Sequence, residues 1–164
     1  MKLIELTRGL FTQVDDEDYD FLMQWKWYAK GKEGNIYAVR GSYDPIKKNM
    51  GHKRMHHEIM GGRPEKGFFI DHKDRNGLNN QKENFRITTR SQNNANRKSW
   101  GKSKYKGVSF DPTIRGLKKW IGIVNKDKKV AFRKRFYTET EAAIYYNEKS
   151  KELHGEFANL NTIE

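Results

Sequence analysis

Phe68-Phe69-Ile70-Asp71-His72-Lys73-Asp74-Arg75-Asn76-Gly77-Leu78-Asn79-Asn80-Gln81-Lys82-Glu83-Asn84-Phe85-Arg86-Ile87-Thr88-Thr89-Arg90-Ser91-Gln92-Asn93 is the most specific stretch of this chain. Phe68 to Ile70 is an apolar strand that ends in a carboxylate and an imidazole. A long polar loop follows, rich in Asn, Asp and Gly, the residues that tolerate turns. Phe85 to Thr88 forms the second strand. Thr89 and Gln92 have the spacing of a capping box, so a helix starts there. The order is strand, loop, strand, helix.

The residue types suit phosphodiester hydrolysis. A hard divalent ion needs oxygen ligands, which Asp71 and the Asn93 carbonyl supply. Such an ion holds a nonbridging phosphate oxygen and the leaving 3′ oxygen. His72 follows Asp71 directly and points to the other side of an extended chain. Its unperturbed pKa of about 6.5 suits a general base that takes the proton of an attacking water. Asn84 is assigned to backbone groups of the hairpin loop. Asp71 or His72 alone would read as part of a capping turn; the whole run does not.

This run resembles the HNH nucleases of the homing-endonuclease type. Their pattern is an Asp-His pair, a loop ending in a structural Asn, and a second metal ligand. Those positions fall on Asp71-His72, Asn84 and Asn93. The resemblance implies an α+β fold with a ββα-metal core. It makes Asp71 and Asn93 metal ligands and His72 the general base. It also implies one catalytic ion and products with 5′ phosphate and 3′ hydroxyl ends. Asn93 stands where many relatives carry histidine, and the cysteine pairs of zinc-holding relatives are missing. Mg2+ or Mn2+ is therefore favoured, and no zinc is expected. Upstream, Met55-His56-His57 resembles a Met-His-Arg strand of the family. Two readings of His56 stand: a packing or phosphate contact within the active site, and a second catalytic histidine.

Around this core the chain divides into further segments. Residues 1–54 mix short strands and turns and brace the nuclease core. Ile36 to Arg40 reads as a strand, and Gly41, Asp44-Pro45 and Gly51 punctuate the residues after it. Asp16 to Met23 reads as a short helix, with aspartates in its first turn and Tyr19 and Leu22 on one face. Trp25, Trp27 and Tyr28 anchor a small core. Residues 55–97 are the nuclease core, and 98–104 a basic linker.

Residues 105–164 show another pattern. Strands are expected at Lys106 to Phe110, Trp120 to Val124 and Val130 to Tyr137, with Asn125-Lys126-Asp127 as a turn. Thr138 and Glu141 have capping-box spacing. Ala142, Ala143, Tyr146, Ser150 and Leu153 line one face of the helix that follows, and Gly155 ends it. A small three-stranded antiparallel sheet packed on one helix is expected. Tyr105-Lys106-Gly107-Val108, Lys119-Trp120, Phe136-Tyr137-Thr138, Glu141-Ala142-Ala143 and Gly155 to Asn161 resemble the DNA-binding domain of plant ethylene-response transcription factors. In that family the sheet enters the major groove. The resemblance makes Trp120 a DNA contact. Lys106, Arg115, Lys118, Lys119, Lys126, Arg133 and Arg135 are further candidates, as are Arg97, Lys98, Lys102 and Lys104 in and before the linker. Most such side chains touch phosphate rather than bases.

Composition agrees with a polyanion partner. The formal charge is +12 over 164 residues, with 35% hydrophobic and 33% charged residues. That supports folded structure without one large core. With no cysteine, thiolate catalysis, disulfides and a cysteine zinc site are excluded. No apolar run reaches about twenty residues, which leaves no membrane helix. Met1-Lys2 runs into acidic Asp15 to Asp18 without a signal-peptide profile. The expectation is a site-specific homing endonuclease acting on double-stranded DNA, with no protein partner implied. It would be cytoplasmic or nucleoid-associated in a bacterial or phage-infected cell. The alternative is a non-catalytic DNA-binding protein with a degenerate core; a third reading is an RNA-binding structural protein.

Overall fold

The computed structural model describes residues 1–46, 48–97 and 102–163. The chain forms two compact units, Met1–Thr88 and Thr89–Glu164. Both mix helices and strands, so the fold is α+β.

The first unit begins with β1 (Lys2–Glu5) and β2 (Phe11–Val14), paired antiparallel. Helix α1 (Asp16–Leu22) follows, with Asp16, Glu17 and Asp18 at its positive end, where carboxylates are favoured. Leu22 is fully buried and Tyr19 packs on the same core, as their shared face requires. The indole N–H of Trp27 donates to the Leu22 carbonyl at 2.8 Å, which satisfies two groups at once. Strands β3 (Tyr28–Lys32), β4 (Asn35–Asp44) and β5 (Asn49–Arg54) form an antiparallel meander. Helix α2 is Met55–Ile59. Then come β6 (Phe68–His72), β7 (Asn79–Asn80) and β8 (Phe85–Thr89). The short β7 joins β2 in parallel, while β6 and β8 make their own two-stranded sheet. The core holds Ile4, Leu6, Val14, Leu22, Trp27, Ala29, Ala38 and Met55.

Two expectations for this unit are corrected. Gly41 and Gly51 do not punctuate. They lie inside β4 and β5, opposite His52 and Ser42, and the ladder of the ribbon holds them extended. Met55-His56-His57 is a helix, not a strand. Met55 and His56 are adjacent and both buried, and Ile59 packs on the same core as Met55. A strand would send successive side chains to opposite faces, whereas residues four apart share a helix face.

The second unit opens with α3 (Arg90–Asn96), whose Thr89 and Gln92 form the expected capping box. Strands β9 (Val108–Phe110), β10 (Trp120–Lys126) and β11 (Lys129–Phe136) form an antiparallel sheet with β10 central. Helix α4 (Glu139–His154) starts in the Thr138–Glu141 capping box and ends at Gly155, φ 54°. Ala142, Ala143, Tyr146 and Ser150 are its buried residues. Strand β9 begins later than expected because Gly107 leaves the extended region at φ +70°. A Cβ there would lie 2.0 Å from the Tyr146 ring, so only glycine fits. The β10–β11 connection turns at Asp127 and Lys128, both at positive φ, one residue past the expected turn. Such φ values match the twist of a two-residue hairpin turn.

No helix among the described residues is long and apolar enough to cross a membrane.

Candidate active site

The loop between β6 and β8 is built from its own amides and carboxylates. Asp74 Oδ1 accepts from the Asn76 N–H at 2.8 Å, and Asn76 Oδ1 accepts from the Leu78 N–H at 3.1 Å. Asn84 closes the loop. Its Nδ2 donates to Asp74 Oδ1 and to the Asn79 carbonyl, both at 2.9 Å. Its Oδ1 accepts from the Asp74 N–H at 3.1 Å. Burial pulls the Asp74 carboxyl upward, but hydrogen bonds from Asn76, Asn79 and Asn84 outweigh it and leave the pKa lowered. Gly77 lets the loop approach β4: a Cβ there would lie 2.4 Å from the Ile36 carbonyl and 2.6 Å from the Tyr37 ring.

This loop and β6 fix two buried side chains. Asp71, 8% exposed, accepts at Oδ2 from Arg86 Nε and Nη2 on β8, each at 3.0 Å. His72, 5% exposed, lies instead among rings. Its centroid is 5.0 Å from His56, 5.2 Å from Phe85 and 5.9 Å from Tyr37. Its Nε2 faces Asn80 Oδ1 at 3.4 Å.

Burial lowers the pKa of His72, against the opposing pull of Asn80, Asp74 and Asp71. The imidazole is therefore neutral at neutral pH and able to accept a proton. His56 is almost wholly buried and pushed down to about 2 by burial, with the charges of His72, His57 and Arg54 adding to it. His57, half-buried, is pushed down to about 4, again mainly by burial. His56 thus enters the site as a neutral ring packed edge-on against Tyr37, His57 and His72.

Asn93 belongs to the second unit, half-buried on α3. Among the described residues, no group of three or more His, Cys, Asp or Glu side chains is placed to hold a metal ion. The donor chemistry nevertheless fits a hard divalent ion. Asp71 offers carboxylate oxygens, and the chain has no thiol. Magnesium keeps several waters and takes one or two protein carboxylates plus substrate phosphate, so it needs no protein cage.

The basic candidates of the second unit fall into distinct settings. Arg133 and Arg135 are exposed on β11, opposite Ile123 and Ile121. Trp120 is half-buried in the cluster of Tyr105, Val108, Ala142 and Ala143, its ring 5.0 Å from Phe110. Lys106 Nζ donates to the carbonyls of Asn94 and Ala95 at the end of α3. The Lys118 ammonium stands 4.9 Å over the Tyr137 ring, and that of Lys104 5.0 Å over Tyr105. The Arg97 carbonyl accepts from Asn159 Nδ2 at 3.0 Å. Lys102, Arg115 and Lys126 are exposed and Lys119 is half-buried. Lys98 lies outside the described residues.

Sequence reasoning did not single out Arg86, Thr12, Asn80 or Tyr37. Arg86 and Asn80 had local signals, Arg86 two residues after Asn84 on the strand that pairs with β6 and Asn80 at the end of the Asp71 to Asn80 run. Thr12 and Tyr37 reach the site through tertiary packing.

Comparison with known proteins converges on the same segment. The model of the HNH endonuclease family matches residues 54–95. The chain is 31% identical, over 96% of its length and 78% of the relative's, to an uncharacterized HNH endonuclease of Acanthamoeba polyphaga mimivirus. It is 35% identical to Protein 3.8 of Escherichia phage T7, over 63% of this chain and 84% of that protein. No solved structure matches.

Proposed function

The chain belongs to the HNH endonuclease family, and on that basis we propose that it is a metal-dependent, site-specific DNA endonuclease of the homing type. The observation that carries this reading is the buried pair at the end of β6. A carboxylate held by Arg86 stands next to an imidazole kept neutral by burial.

In this reading Asp71 and Asn93 would hold one Mg2+ or Mn2+. When bound, such an ion would supply Lewis-acid neutralisation of the charge that develops at the scissile phosphate. His72 takes the proton of the attacking water. Arg86 holds the Asp71 carboxylate in one orientation, and Asn84 holds the loop that carries the pair. His56 walls the His72 ring and excludes water from its inner side. The products carry 5′ phosphate and 3′ hydroxyl ends.

Double-stranded DNA is the partner. The second unit presents a three-stranded sheet with exposed Arg133 and Arg135, and we assign it the sheet-reading role of the ethylene-response DNA-binding domains that its sequence resembles. Basic side chains there supply affinity through phosphates. The net charge of +12 supports the assignment.

The test is cleavage of supercoiled plasmid carrying target DNA, with Mg2+ or Mn2+, by wild type and His72→Ala. The expected result is open-circle or linear product from wild type and a loss of roughly 10²- to 10⁴-fold in the variant. Specific binding by wild type with no cleavage under either ion would instead establish a DNA-binding protein with a degenerate core.

A further inference from the structure

The surroundings of His72 determine which of its nitrogens carries the proton, through a residue from the far end of the unit. Thr12 on β2 and Asn80 on β7 are both fully buried. Thr12 Oγ1 lies 2.7 Å from the Leu78 carbonyl. A carbonyl can only accept, so the hydroxyl proton points at it. Thr12 Oγ1 must then accept from Asn80, 2.8 Å away. The end of the Asn80 amide facing Thr12 is therefore its NH2. The Gly77 carbonyl, 3.4 Å from the same nitrogen, requires the same orientation independently.

With its NH2 turned to Thr12 and Gly77, Asn80 presents Oδ1 to His72 Nε2 at 3.4 Å. An amide oxygen only accepts. A neutral imidazole has one N–H, and the partner of one nitrogen decides the role of the other. Nε2 therefore carries the proton and Nδ1 the lone pair.

We infer that Thr12 and Asn80 are positioning residues that hold His72 as its Nε2–H tautomer, with Nδ1 as the atom that receives the proton of the attacking water. The role given to Nδ1 rests on the nuclease reading above; the tautomer does not. As the water oxygen bonds to phosphorus, its proton passes to Nδ1, and the P–O3′ bond breaks with its electron pair left on the 3′ oxygen, which takes a proton from bulk water to give the 3′ hydroxyl. Thr12 lies 68 residues before Asn80 in sequence, outside the matched family segment at 54–95. The N-terminal strands thereby become part of the catalytic apparatus. Strand β2 does this by pairing in parallel with β7, Gln13 with Asn79 and Val14 with Asn80.

The test uses full-length protein with ¹⁵N-labelled histidine. Two-bond proton–nitrogen correlations of the His72 ring report the tautomer directly. Wild type is expected to show the Nε2–H pattern. Thr12→Val keeps the side-chain shape but removes the hydroxyl. It is expected to give a mixed tautomer and a kcat lower by roughly 10- to 100-fold, with KM for plasmid unchanged. Thr12→Ser, which keeps the hydroxyl, is expected to restore both. An Nδ1–H pattern in wild type overturns the inference without need of any variant. So does a Thr12→Val protein with a native amide spectrum and an unchanged His72 ring and kcat. A wild type that cuts nothing overturns the nuclease reading and the role of Nδ1 with it, while the ring spectrum still decides the tautomer.

Discussion

Among the described residues, the buried polar side chains of the unit 1–88 are Thr12, His56, Asp71, His72, Asn80, Asn84 and Thr88; those of the unit 89–164 are Asn96 and Ser150. The first unit fills much of its interior with hydrogen-bonded polar groups and divides its strands among three small sheets. The second packs small and aromatic residues of one capped helix onto one sheet and keeps its charges outside. Buried polar groups cost free energy unless each is satisfied. In the proposed reading the first unit accepts that cost because a base and a carboxylate in water would be neither oriented nor perturbed. The second needs only a rigid surface for its cations. Damage to polar partners should therefore register in the first unit, and loss of surface charge in the second.

The largest effect should come from breaking the Asp71–Arg86 pair, whose side chains are 10% and 11% exposed. Arg86→Ala strips the ion pair from a buried carboxylate. Loss of one partner of such a pair costs about 3–5 kcal/mol. Hydrogen exchange should accelerate in peptides covering 68–72 and 85–88 and stay unchanged over 120–154, and cleavage should fall with it. Equal acceleration in both units would break the comparison, because it would mean that they unfold as one.

Acid should separate the units next. His56, His57 and His72 all have pKa values lowered by burial, the first two to about 2 and about 4. The unfolded chain binds protons at these sites where the folded one does not. Their contribution is therefore complete above an unfolded pKa of about 6.5 and is lost as pH falls below it. For His56 the loss should approach about 1.4 kcal/mol per pH unit and continue towards its folded value of about 2. The second unit carries one histidine lowered by burial, half-buried His154, and should lose less. Exchange rates in the two units followed from pH 7 to pH 4.5 give the two slopes. His56→Leu should flatten the first of them.

The elements that sequence disclosed were those written in local pattern. Both capping boxes, the Asp71-His72 strand end and the apolar face of α4 need only neighbours within a few residues. What stayed hidden depends on burial at a distance. Nothing near Thr12 marks it as a partner of Asn80, and a short β7 of two residues has no periodicity to read. Met55 to Ile59 misled for a related reason. Five residues are too few for a helical period, and the burial of two adjacent side chains is set by tertiary packing rather than by local pattern. The β10–β11 turn shifted by one residue because Asp127 and Lys128 adopt positive φ without a glycine.

The smallest effect tests the outer face of the second unit. A Cβ on Gly122 would meet the Ala142 carbonyl at 2.8 Å, so Gly122 faces α4. Side chains alternate along a strand and cross-strand partners share a face. Ile121 and Ile123 therefore face away from α4, together with their partners Arg135 and Arg133. Trp120, with Phe110 and Phe136 opposite it, sits on the helix side. The arginine side is therefore the one that the proposed DNA contact would use, while Trp120, expected as a DNA contact, lies on the helix side. Each neutralised phosphate adds about 0.9 to the slope of log affinity against log salt. Arg133→Ala with Arg135→Ala should flatten that slope by about 1.8 while leaving exchange in both units unchanged. An unaltered slope would exclude Arg133 and Arg135 as phosphate contacts. A flatter slope with faster exchange at β10 would show instead that the two arginine stems shield Ile121, so that stability and binding share one face.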